Sequence, residues 1–142
     1  MADRRKSRIR PRKVKGGKKI AAPQVKESIP AEQQPPVFSL QYLQKGYCIT
    51  DCEQKDQASF ALKMKRLSEL TWNRIQSAPR HGLGYERIAQ KAIKQPIPQH
   101  ITQDVNLIAF RFAGKKPMVG YRDGRIFYVV WLDRDFSLYD HG

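Results

Sequence analysis

The stretch Val105-Asn106-Leu107-Ile108-Ala109-Phe110-Arg111-Phe112-Ala113-Gly114-Lys115-Lys116-Pro117-Met118-Val119-Gly120-Tyr121-Arg122-Asp123-Gly124-Arg125-Ile126-Phe127-Tyr128-Val129-Val130-Trp131-Leu132 decides how this chain folds. It contains three β-rich runs, Val105 to Phe112, Met118 to Tyr121 and Ile126 to Leu132. The first link is Gly114-Lys115-Lys116-Pro117 and the second is Asp123-Gly124. Asp-Gly between apolar runs is a strong hairpin signal, because both turn positions favour positive φ. Strands joined this tightly form an antiparallel meander. The last run is apolar on both faces, which suits a covered strand, and one face should meet a helix.

Outward from the meander, Val37-Phe38-Ser39-Leu40-Gln41-Tyr42-Leu43 alternates as a first strand does. Thr50-Asp51-Cys52-Glu53 has the spacing of a capping box, so a long helix is expected from about Cys52 to Gln76. Phe60, Met64, Leu67, Thr71 and Ile75 recur at three- and four-residue steps and form its inner face, with Lys63, Lys65, Arg66 and Arg74 mostly off it. Pro79, Gly82 and Gly84 end that helix, and Tyr85 to Ile93 suits a short second one. Lys94 to Pro98 reads as a loop, since neither proline continues a helix. The expected fold class is therefore α+β: a strand, a long helix, a short helix, then a three-stranded meander, with the helices grouped on one sheet face.

Charge divides the chain in two. Its 142 residues hold 27 Lys and Arg against 13 Asp and Glu, a formal charge of +14. Residues 1–36 hold 11 of those cations and only 3 acids, with glycines and prolines and no apolar cluster, so they read as a disordered basic tail and linker. Residues 37–142 hold nearly all the aromatic residues and are long enough to fold as one domain. Such a charge attracts polyanions, and the tail lacks an apolar face for a bilayer, so nucleic acid is the expected partner rather than a membrane. Arg4, Arg5, Lys6, Arg8, Arg10, Arg12 and Lys13 would hold phosphate without sequence choice. No run approaches a membrane span, and the N-terminus has charge without the apolar stretch of a secretory signal. The chain reads as cytoplasmic. Cys48 and Cys52 form neither a disulfide framework nor a paired metal cluster, and no metal or cofactor is expected.

Three local sequences carry a family likeness. Pro79-Arg80-His81-Gly82-Leu83 looks like the loop before the meander, Met118-Val119-Gly120-Tyr121-Arg122 like its second strand, and Tyr139-Asp140-His141 like an aromatic–histidine ending. On these, residues 37–142 resemble the RelE/YoeB-like toxins, ribosome-dependent endoribonucleases of toxin–antitoxin pairs. The resemblance implies RNA as the substrate, the ribosome as the place of action and an acidic antitoxin as partner. The chain departs from the family in the loop Ile97 to Asp104, the Asp133 to Phe136 turn and the Asp140 spacer.

Metal-free RNA cleavage needs a base for the 2′-hydroxyl, an acid for the leaving 5′-oxygen and cations for the phosphate. His141, His81 and Glu86 are the proton-transfer candidates. Arg80, Arg111 and Arg122 offer bidentate guanidinium contacts, and Lys115 and Lys116 add charge at the hairpin. Tyr139 or Tyr121 could stack on a base. A structural reading stands beside each: Glu86 as a helix-start acid, Arg122 as a hairpin-end residue, His81 as a loop former, and Tyr121 as core. Two other functions stay open, a non-catalytic RNA- or ribosome-binding module and a phage-type nucleic-acid or protein interaction protein.

Overall fold

Two glycine-led turns build the sheet. In a computed structural model that describes residues 29–141, Leu107–Ala113 (β3), Lys116–Asp123 (β4) and Ile126–Leu132 (β5) form the expected antiparallel meander. Gly114-Lys115 and Gly124-Arg125 are the two-residue links, with Gly114 at φ 61° and Gly124 at φ 63°. Asp123 therefore stays in its strand, paired with Ile126, and only the glycine of the second turn needs a left-handed backbone. Val37–Ser39 (β1) pairs in parallel with β5, and Glu86–Ile88 (β2) pairs antiparallel with β3. The sheet is mixed and five-stranded, in the order β1-β5-β4-β3-β2. The fold class is α+β.

A bulge decides which way β5 faces. Val119 pairs with Trp131 and Gly120 with Val129, so Val130 is an extra residue. The shift in parity sends Phe127, Val129 and Leu132 to one face and Val130 and Trp131 to the other. Close approach at the bulge requires Gly120, where an added Cβ would meet the Tyr128 carbonyl oxygen at 1.9 Å.

The first face packs against the helices. Gln54–Ser68 (α1) contributes Phe60 and Leu67, and the short helix Trp72–Gln76 (α2) contributes Trp72 and Ile75. The single helix expected from Cys52 to Gln76 is thus two. Thr71 caps the second, its Oγ1 accepting from the Arg74 N–H at 3.3 Å. The break lets Trp72 turn fully into the core, where its indole N–H donates to the Arg125 carbonyl at 3.0 Å. The Thr50–Glu53 capping box does not form. Instead Asp51 accepts from the Cys48 N–H at 3.1 Å around the 3₁₀ turn Ile49–Asp51, and α1 starts from Glu53 with no side-chain cap.

The second correction is Tyr85 to Ile93, which is not a helix. Its first part is edge strand β2, its second the 3₁₀ turn Gln90–Ala92. The apolar spacing of Ile88, Ala89, Ala92 and Ile93 mimics a helix, but pairing of Glu86 with Ala109 and Ile88 with Leu107 overrides it. Ile93 still turns inward, joining Ile101, Leu107, Val119, Trp131, Leu138 and Tyr139 in a second core on the other sheet face. Among the described residues, irregular chain and not helix covers that face.

The compact unit begins at Ala31, ahead of the Val37 start expected from sequence. The Gln34 carbonyl accepts from the Trp72 N–H and the Pro35 carbonyl from Arg125 Nε, which ties the last linker residues into the fold. The tail cations Arg4 to Lys13 lie outside the described residues. Among the described residues, no helix is long and apolar enough to cross a membrane.

Lys116 is drawn into this framework. Its ammonium sits 2.6 Å from the buried Asp56 carboxylate, which holds the lysine's pKa above its ordinary value. Lys116→Met would leave Asp56 buried and unpaired and should cost about 2–4 kcal/mol in urea denaturation. Adding Asp56→Asn should recover much of that loss; no loss in the single variant would mean that the pair is solvated.

Candidate active site

Strand β5 ends in an acid that folds the chain back on itself. Asp133 is fully buried, and its carboxylate accepts from the Ser137 N–H at 2.8 Å and the Leu138 N–H at 3.2 Å. Those bonds close a tight turn in which Phe136 adopts φ 59°, a left-handed conformation that few non-glycine residues take. The chain then runs back across the second sheet face, and the Leu138 carbonyl accepts from the Lys94 N–H at 2.7 Å. Asp140 pairs with Lys94 at 2.6 Å.

The turn delivers Tyr139 and His141 to one place. His141 Nε2 lies 3.4 Å from Asp133 Oδ2, and its ring packs 4.2 Å from the Tyr139 ring and edge-on to Phe136 at 5.2 Å. Three side chains thus contact the imidazole. Burial raises the Asp133 carboxyl pKa, while the two backbone amides and His141 pull it the other way. Tyr139 is buried, and its phenol is pushed up to about 12, first by burial and then by Glu86 and Asp133. It therefore stays protonated and can donate a hydrogen bond but not act as a base.

Neighbouring strands complete the cluster. β2 presents Glu86 beside Ala109, and Arg111 lies two residues further along β3, on the same face as Ala109. Arg80, from the loop before β2, forms an ion pair with Glu86. A cleft of about 60 Å³ is lined by Arg80, Glu86, Arg111, Lys115, Tyr139 and His141. Residues from the loop, the edge strand, the β3–β4 hairpin and the final segment thus meet at one point. The cleft thus gathers guanidinium groups that can hold an anion with a carboxylate and an imidazole able to transfer protons.

The remaining sequence candidates lie elsewhere. Arg122 is a framework residue: its Nε donates to the Gly124 carbonyl at 2.7 Å, its guanidinium stacks 4.3 Å over Trp72, and it pairs with Glu32 at 3.2 Å. The hairpin-end reading describes it. Lys116 is taken by Asp56. His81 lines an adjoining cleft with Lys63, Arg66 and Arg111. Tyr121 stacks on Tyr128 at 5.0 Å, with its hydroxyl 2.9 Å from His100 Nε2, nearer the other end of β4. Cys48 and Cys52 are free thiols, and burial is the main cause raising the Cys52 pKa.

Asp133 is the residue that sequence reasoning missed. Its one signal is an acid directly after an apolar strand, eight positions before a histidine. No protein-family model, curated protein or solved structure matches this chain significantly.

Tyr139 gives the site a pH signature. The unfolded phenol ionises near 10 and the folded one near 12, so the unfolded state loses its proton first. Stability should be unaffected by this group below pH 10 and fall by about 2–3 kcal/mol as pH rises to 12. Tyr139→Phe should remove that share of the alkaline loss, read as the difference between the two stability–pH curves; parallel curves would place the phenol in water.

Proposed function

We propose that this protein binds RNA and cleaves it in the Glu86–His141 cleft, as a ribosome-dependent endoribonuclease of the RelE/YoeB-like kind. The observation that carries the reading is the convergence of Arg80, Glu86, Arg111, Lys115, Tyr139 and His141, from separate segments, on one cleft.

The chemistry follows from these groups. Glu86 accepts the proton of a 2′-hydroxyl, whose oxygen attacks the adjacent phosphorus. His141, oriented by Asp133, gives a proton to the departing 5′-oxygen as the P–O bond breaks. The products are a 2′,3′-cyclic phosphate and a 5′-hydroxyl, with one proton taken and one returned. Arg80, Arg111 and Lys115 hold the phosphate oxygens as charge builds on them, and the Tyr139 hydroxyl donates to the same group. No step calls for a metal. In this reading the RNA is met on the ribosome in the cytoplasm, the basic tail adds salt-sensitive affinity, and a small acidic antitoxin covers the cationic face.

A second reading, a non-catalytic RNA- or ribosome-binding module, is favoured by two observations. Glu86 is already engaged by Arg80, and the cleft is smaller than a nucleotide. Incubation with translating ribosomes, followed by mapping of RNA ends, separates the two. Cleavage should leave 5′-hydroxyl ends, and His141→Gln should slow it by about 10²–10⁴-fold. His100→Asn, on the Tyr121 cluster, should cleave like the parent. Intact RNA with retained ribosome binding would establish the second reading instead.

A further inference from the structure

Beside the candidate site lies a cleft whose charge no ion pair balances among the described residues. It has a volume of about 360 Å³, runs between α1 and β3, and is lined by Ser59, Lys63, Arg66, His81, Arg111 and Gly114, among others. Among the described residues, none that lines it is acidic. Neighbouring cations have partners: Lys65 is paired with Glu69, Lys116 with Asp56 and Arg80 with Glu86. Among the described residues no ion pair engages Lys63, Arg66 or Arg111. Lys63 Nζ donates to the Gly82 carbonyl at 2.9 Å, which fixes the ammonium at the cleft wall. Its pKa is lowered by burial first, then by Arg66 and Arg111, so the cations are close enough to repel one another. Like charges gathered around a concave surface focus a positive potential and favour an anion with several acceptor oxygens.

Arg111 lines both clefts, so their occupants must be neighbours. We propose that the acid-free cleft holds a second phosphate of the RNA strand whose scissile phosphodiester lies in the Glu86–His141 cleft, with Arg111 between the two. This rests on the reading of the neighbouring cleft as the RNA site. An acidic peptide would present planar carboxylates on a backbone with no reason to continue into the second cleft, whereas a nucleic-acid strand repeats its phosphate at each step.

The chain has three histidines, and they report separately. His141 lines the first cleft, His81 the second, and His100 packs against Tyr42 and Tyr121 elsewhere. The test is imidazole NMR of the full chain, titrated with a 2′-O-methyl trinucleotide, which has two phosphodiesters and no 2′-hydroxyl to react. His81 and His141 signals should move along one isotherm while His100 stays still, and the matching dinucleotide should bind roughly tenfold more weakly. The double variant Lys63→Gln, Arg66→Gln should lose the His81 movement and keep that of His141. Its slope of log K against log salt should fall by about 0.7, the share of one phosphate on a single strand. An unshifted His100 signal confirms that the variant is folded. A stationary His81, an unchanged salt slope, or His81 movement with a polyglutamate peptide and not with the trinucleotide would overturn the proposal. Movement of His81 with His141 stationary would support phosphate binding here while overturning the reading of the neighbouring cleft.

Discussion

Trp72 is the point through which the separate parts of this fold hold one another. It is fully buried, packs against Tyr85, Phe110 and Phe127, and lies under the Arg122 guanidinium. Its indole N–H donates to the Arg125 carbonyl at the β4–β5 turn, and its backbone N–H donates to Gln34. One residue thus joins the segment ahead of β1, the helical layer, the edge strand's lead-in and the main hairpin. A residue this large in a close-packed interior leaves its neighbours little freedom to shift. The break between α1 and α2 is the local cost of placing it there.

The candidate site rests on a different kind of constraint. A buried carboxylate is stable only when its oxygens are satisfied, and Asp133 meets that demand with two amides from its own chain. The turn this creates points His141 and Tyr139 back toward Glu86 and Arg111. The second sheet face, covered by irregular chain, is what gives the returning segment a surface to lie on. Helices on both faces would have left no such path.

The meander was legible because glycine turns and β-rich runs act over a few residues. What sequence could not show depends on distant partners. The helix break follows from Trp72 meeting Arg125, 53 positions away, and Lys116 is claimed by Asp56, 60 positions away. Tyr85 to Ile93 has helical spacing, yet β3 offers it an unpaired edge, and the ladder wins. For the site, residue chemistry named Glu86, Arg80, Arg111, Tyr139 and His141, whose meeting needs the edge strand and the final turn together. Asp133 escaped notice because its role exists only once the chain has doubled back.

The two outer strands, β1 and β2, have only three residues each. Exposed strand edges invite pairing with other molecules, and natural sheets blunt them with short strands and charge. β2 does both, and its Glu86 and Arg87 are part of the blunting. The carboxylate that lines the candidate cleft therefore also guards the molecule against joining edge to edge with its own copies. Exchanging Glu86 for an apolar residue would strip charge from an open strand edge as well as a carboxylate from the candidate cleft, so one side chain serves two separate physical demands.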